Sequence, residues 1–188
     1  AFAQAMGQPI EYPFVKGLPG LPCVIEVKKL EHERNNFGGI WHSDTTYLQV
    51  PPMGSMLLAR EIPPYGGDTI FAAMYAAYDA LTPEMKRRID GLKVIHKYQS
   101  SRQTNRVSKR PEEEMKAMPE ATHPLVRVHP ETGKKALYIG EKVSCLVDMT
   151  PEESKPLIDY LVRHATRPQF CYRHQWRKDD IVLWDKIG

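Results

Sequence analysis

The chain has 188 residues, 41% of them hydrophobic, which fits one domain with a substantial core. Its 26 basic and 23 acidic residues leave a net charge of only +3. The basic residues are spread along the chain rather than gathered in a patch, which argues against a nucleic-acid partner. No apolar run is long enough to span a bilayer, and no secretory pattern opens the sequence. Cys23, Cys145 and Cys171 are too few and too far apart for a disulfide framework or a Cys-rich zinc site. A reducing cytoplasm is the simplest setting for them.

Taken in order, Ala1 to Met6 reads as a helix that Gly7 and Pro9 end. A helix ending so early, in a chain that opens on Ala1 rather than Met, implies that residues precede it. Residues 9–22 are punctuated by Pro and Gly and read as loop. Cys23 to Val27 is β-rich and reads as a short strand. Further strands are expected over Ser55 to Ile62, from Thr69 to Ala72, and over Lys93 to Tyr98. Between them, Met74 to Leu81 reads as a short helix. Thr82-Pro83 starts a second, with Thr as N-cap and Pro at the first position. Ser100 to Glu120 is polar and aperiodic and is expected to be a mobile lid loop. Leu125 to Val128 and Ala136 to Ile139 flank a hairpin-type turn at His129 to Gly133. Thr150-Pro151-Glu152-Glu153 is a capping box opening a helix to about His164. Gln169 to Trp176 and Ile181 to Trp184 read as two strands around the turn Arg177 to Asp180. Many short strands with few helices predict a β-sandwich or jelly roll with helical insertions in one domain spanning 1–188.

The stretch with chemistry in it is Gly38-Gly39-Ile40-Trp41-His42-Ser43-Asp44-Thr45-Thr46-Tyr47. On an extended strand His42 and Asp44 would point to one face. An imidazole and a carboxylate aimed together make two-thirds of the 2-His-1-carboxylate triad that holds non-haem Fe(II). Alone, an HxD pair is weak, because a surface His and Asp making ordinary hydrogen bonds have the same spacing. His129 and Glu131 make an HxE pair, but in turn sequence where strand alternation does not apply. His174 alternates with Phe170, Tyr172 and Trp176, so a hydrogen-bonded His and a third ligand both remain open there.

The context of the pair carries more. Trp41-His42-Ser43-Asp44, then Pro63-Pro64-Tyr65-Gly66-Gly67-Asp68-Thr69, then Thr122-His123-Pro124-Leu125-Val126-Arg127, then Leu183-Trp184-Asp185 occur in order. Together they resemble the taurine dioxygenase and 2,4-dichlorophenoxyacetate dioxygenase family, over essentially the whole chain. The closing part resembles the phenoxyacetate branch more than the taurine branch. The resemblance implies a double-stranded β-helix, the jelly roll of the clavaminate synthase-like proteins. It implies an enzyme using Fe(II), 2-oxoglutarate and O2, releasing succinate and CO2 while hydroxylating a small, anionic organic substrate such as a sulfonate or aryloxyalkanoate. His42 and Asp44 would then be metal ligands and catalytic. Thr69 would bind the distal carboxylate of 2-oxoglutarate, and Trp184 would line the cosubstrate pocket. Their plainer readings are a strand-favouring β-branched residue and a core aromatic. Asn36 and Tyr47, like Asn35, are substrate candidates by proximity only.

One departure stands out. The family follows the Asp matching Asp185 with Asn-Arg, then a third ligand His and a cosubstrate-clamping Arg. Here Asp185 is followed by Lys186-Ile187-Gly188, and neither residue is in the sequence. The expectation is a domain incomplete at both ends. The family also implies a homo-oligomer, dimer or tetramer; the charge and apolar patterns add the expectation of no nucleic-acid or membrane partner. Two other readings remain: a non-catalytic jelly-roll protein that binds a small anion or a partner protein, and a different metal hydrolase using the same pair.

Overall fold

A computed structural model places residues 2–12, 15–30, 32, 39–98 and 119–188, and the description below is of these. They form two compact units, Ala1–Ile40 and Trp41–Gly188. No helix among them is long and apolar enough to cross a membrane.

In the first unit, α1 (Phe2–Met6) is closed by the Gly7 N–H on the Ala3 carbonyl, 3.2 Å. The strand expected over Cys23 to Val27 is absent. The Leu21 amide donates to Leu18 O at 2.9 Å, and the Val24 amide to Leu21 O at 2.9 Å. The Leu18 amide returns to Val24 O at 2.8 Å. These tight turns use the Val24 amide and carbonyl that a sheet ladder would have needed. β-propensity loses here to turn chemistry set by Gly20, whose φ is +75°.

The second unit is built from antiparallel strands. β1 (Gly54–Leu58) pairs with β9 (Ile181–Asp185), and β2 (Thr69–Ala72) with β8 (Cys171–His174). β3 (Lys93–Lys97) lies between β4 (Glu120–Pro124) and β7 (Val143–Leu146). β5 (Val126–Val128) and β6 (Lys135–Leu137) form the expected hairpin, closed by the His129 amide on Lys134 O at 2.9 Å. β8 and β9 do flank the turn at Arg177 to Asp180, but they do not pair with each other. Each returns to a strand more than a hundred residues earlier. That long-range return is the winding a jelly roll requires. The sequence predicts no strand at β4 or β7. β7 is buried at all four positions, so period 2 is invisible in it. The expected lid over Ser100 to Glu120 lies outside the described residues, except for Pro119 and for Glu120, which begins β4.

The helices cover the sheet. α2 (Met74–Asp79) contacts β6, and α4 (Pro151–Ala165) contacts β7 and α2. α3 (Pro83–Ile89) begins at Thr82, whose hydroxyl accepts the Met85 amide, as the sequence predicts. The capping box of α4 is also present: Thr150 accepts the Glu153 amide, and Glu153 accepts the Thr150 amide. Val94, Leu125, Leu137, Val143, Ile158 and Leu161 form the centre of the core, each at most 1% exposed. Within it, the Ser154 hydroxyl donates to Thr150 O at 2.8 Å and accepts the Leu146 amide at 2.9 Å. One side chain thus fastens the end of β7 to the first turn of α4.

A second buried group is aromatic. His96 on β3, His123 on β4 and Tyr138 stand with ring centroids 5.0–5.4 Å apart, and the Arg127 guanidinium lies over Tyr138 at 4.6 Å. His96 is 1% exposed, and neither ring nitrogen has a hydrogen-bond partner. Burial, then the nearby His123 and Arg127, lowers its pKa to about 3.

Two expectations follow. Ser154→Ala removes the acceptor of a buried amide and should cost about 1–3 kcal/mol in urea unfolding; a cost near zero would show that this hydroxyl does not fasten the strand end. His96 stays neutral when folded but takes a proton when unfolded near pH 6.5, so the unfolded state binds more protons below that pH. Its contribution is therefore full above pH 6.5 and is lost progressively as pH falls toward about 3. His96→Phe should lose about 2 kcal/mol less stability than the native protein between pH 7 and pH 5, read from paired denaturation curves.

Candidate active site

The HxD stretch is not a strand. Residues 41–43 make no ladder, and Asp44 to Tyr47 form a turn in which Thr45 has φ +58°. Alternation along an extended strand therefore does not bring the pair together; the turn does. His42 Nε2 lies 3.4 Å from Asp44 Oδ1, with both side chains partly open to solvent.

Backbone contacts from elsewhere in the unit hold this segment. The Glu141 amide donates to Trp41 O at 2.9 Å. Beside it, Gly140 has φ +145°, and a Cβ there would come within 3.2 Å of Trp41 O and 3.3 Å of the His42 Cα. Only glycine allows that approach. On the other side of the pair, His123 Nε2 stands 2.9 Å from Thr46 O and 3.0 Å from Leu48 O. Both partners are carbonyls, so this nitrogen carries the proton and donates to them. The Ser43 hydroxyl donates to Lys186 O at 3.2 Å.

Asp44 is kept ionised. The hydrogen bond from His42 is the largest cause of its lowered pKa; burial opposes it, and the charges of His42, Lys186 and Lys142 add to the lowering. Lys186 is 7% exposed, with its ammonium 3.4 Å from the Thr45 hydroxyl. Burial lowers the Lys186 pKa and Asp44 raises it in return. Neither lysine stands out in the sequence, because each is remote from the motif and is brought to it only by the fold. The imidazole and ionised carboxylate suit Fe(II) in donor type and convergence. Among the described residues no third His, Cys, Asp or Glu joins them.

The other candidates lie around β2. Gly66 and Gly67, with φ +75° and +78°, turn the chain into Thr69. Thr69 and Phe71 share one face of β2 by alternation. Trp184 on β9 packs against Phe71, ring centroids 5.5 Å apart, so it closes the same side as Thr69. Thr69 Oγ1 accepts a hydrogen bond from Trp176 Nε1 at 2.9 Å.

His174 is the cross-strand partner of Thr69 and packs edge-on against Trp176, centroids 4.5 Å apart. Its Nε2 is 3.2 Å from Asp180 Oδ2, which also accepts the Arg177 amide. The separation fits an ion pair, but the alignment is not that of a hydrogen bond. His129 is committed to its turn: its Nδ1 accepts the Glu131 and Thr132 amides. Its Nε2 stands 3.4 Å from Asp185, which in turn accepts the Tyr75 hydroxyl at 2.7 Å. The HxE spacing of His129 and Glu131 is thus a turn feature. Tyr47 is 1% exposed, edge-on to Tyr98 at 5.1 Å, so its ring supports the turn from inside. Asn36, like Asn35, lies outside the described residues.

Comparison with known proteins identifies the family. Residues 1–186 match the family described as taurine catabolism dioxygenase TauD, TfdA family. The alpha-ketoglutarate-dependent 2,4-dichlorophenoxyacetate dioxygenase of Burkholderia sp. (strain RASC) is 38% identical over 162 residues, 86% of this chain and 54% of that protein. The alkylsulfatase of Acinetobacter baylyi is 33% identical over 98% of this chain and 59% of its own length. The crystal structure of AAD-2 in complex with Mn(II) and N-oxalylglycine superposes with TM-score 0.73 at 37% identity, covering 78% of this chain and 54% of that one. The chain therefore spans about half the length of the relatives it matches. Its mainly β architecture is the jelly roll of these enzymes. With four ordered motifs, a converged His42–Asp44 pair and a match over residues 1–186, the chain belongs to the TauD, TfdA dioxygenase family.

Proposed function

We propose that the protein carrying this chain is an Fe(II)- and 2-oxoglutarate-dependent dioxygenase that hydroxylates a small anionic organic substrate. The observation that carries the reading is the 3.4 Å approach of His42 Nε2 to Asp44 Oδ1, within a family whose solved relative holds Mn(II) with N-oxalylglycine. His42 and Asp44 would hold the metal. When bound, the metal and 2-oxoglutarate supply the oxidising chemistry: O2 is consumed, and succinate and CO2 are released as the substrate is hydroxylated.

The chain's own residues bind and orient. Asp44 enters the site already ionised, so no proton must leave it when a cation arrives. Thr69 offers a hydroxyl to the distal carboxylate of the cosubstrate, a charge-assisted hydrogen bond. Trp184 and Phe71 give that side an apolar wall that excludes water and strengthens the bond. The substrate is anionic in this reading because the relatives are named for an aryloxyacetate and an alkyl sulfate. A reducing cytoplasm suits the three free cysteines Cys23, Cys145 and Cys171, and cell fractionation tests it. Association into a dimer or tetramer completes the reading, tested by light scattering.

In the full gene product, His42→Ala should abolish Fe(II)- and 2-oxoglutarate-dependent succinate release without unfolding the protein; retained turnover would remove His42 from the metal site. Succinate absent from the unaltered protein, under every condition that supplies both cofactors, would leave a non-catalytic jelly roll. Thr69→Val keeps the shape and deletes the hydroxyl. It should raise the KM for 2-oxoglutarate about tenfold while kcat at saturating cosubstrate changes little.

A further inference from the structure

We infer that Trp176 is a positioning residue for the cosubstrate, acting through Thr69 by fixing the direction of its hydroxyl proton. This rests on the reading of Thr69 as the 2-oxoglutarate carboxylate donor and extends it one step outward.

The argument is one of donors and acceptors. An indole Nε1–H can only donate. Its 2.9 Å hydrogen bond therefore occupies a lone pair of Thr69 Oγ1 and makes that oxygen an acceptor there. The hydroxyl's own proton must then point away from Trp176. Among the described residues no acceptor takes it. Thr69 sits half-buried at the start of β2, on the strand face that Phe71 and Trp184 close. A free threonine hydroxyl rotates among three staggered positions; the bond from Trp176 removes the one that would point at the indole and leaves the proton for a ligand. A carboxylate, which has only acceptors, is the ligand such a hydroxyl suits.

Trp176 is itself braced. His174, directly across the β2–β8 ladder from Thr69, meets the indole edge-on at 4.5 Å. Asp180 stands 3.2 Å from His174 Nε2 and accepts the Arg177 amide at 2.8 Å, so the turn after β8 is fixed to the same group. The geometry runs Asp180 to His174 to Trp176 to Thr69 and ends at the open hydroxyl. His174 thus has a place beside Thr69 through its contact with Trp176.

The test is a double-mutant cycle in the full gene product, loaded with Mn(II) and read as 2-oxoglutarate affinity by calorimetry. Trp176→Phe should weaken 2-oxoglutarate about fivefold, Thr69→Val about tenfold, and the double variant no more than Thr69→Val alone. Affinity for Mn(II) should be unchanged in the Trp176 variant, and succinate assays should show a raised KM for 2-oxoglutarate with kcat retained. If Trp176→Phe fails to fold, benzothienylalanine at position 176 keeps the ring shape and removes only the N–H, and the same fivefold loss is expected. Native affinity in either Trp176 variant, or effects that multiply in the double variant, would overturn the proposal while leaving the Thr69 reading intact. Native affinity in Thr69→Val would overturn that reading, and the proposal with it.

Discussion

The candidate site depends on a backbone constraint rather than on the side chains that give it chemistry. Trp41 to Tyr47 has no strand partner, so the turn that brings His42 to Asp44 depends on contacts from outside it. Neighbouring elements fix it from outside. Glu141 ties down the Trp41 carbonyl before the pair, and His123 holds the Thr46 and Leu48 carbonyls after it. The first contact relies on Gly140, whose φ of +145° other residues rarely adopt, and the second on β3 and β4, which bury His123 beneath the turn. A turn placed in this way aims two side chains at one point with less freedom than a loop of its composition would have.

The same logic explains where buried charge is tolerated. Asp44 gains from its hydrogen bond with His42 and from the charges of Lys186 and Lys142, which outweigh the cost of taking it from water. Lys186 is buried beside it and benefits in return. His96 has no such partner, and the fold meets the cost of its burial by leaving it neutral. One group is arranged to stay charged and the other to stay uncharged. Their separation comes from neighbours, not from residue type.

Much of this was legible in the residues. The N-cap at Thr82, the capping box at Thr150, the hairpin at His129 to Gly133 and the strand at Thr69 are local devices, and local devices survive folding. The approach of His42 to Asp44 also followed from spacing, although by a turn in place of the expected strand. What sequence could not supply was non-local. β7 is buried on both faces and shows no period, the pairing of β8 and β9 depends on strands far back in the chain, and Cys23 to Val27 lost its strand to turns around Gly20. Lys142 and Lys186 reach Asp44 only through tertiary structure, and no motif marks them.

Three histidine–carboxylate pairs stand among the described residues, and they differ in what else their carboxylates serve. His129 stands 3.4 Å from Asp185, but its other nitrogen accepts two turn amides, and Asp185 accepts Tyr75 and the Ile187 amide. His174 stands 3.2 Å from Asp180, whose oxygen caps a turn, and its ring is packed against Trp176. Both carboxylates are already satisfied by backbone donors, so a cation would have to displace hydrogen bonds that hold the fold. Asp44 accepts no such backbone donor among the described residues, and the Asp44 and His42 side chains are 42% and 30% exposed. A ligand pair needs a carboxylate that the fold positions without tying it to backbone amides. That distinction is invisible to spacing, and it follows directly from which amides each carboxylate already serves.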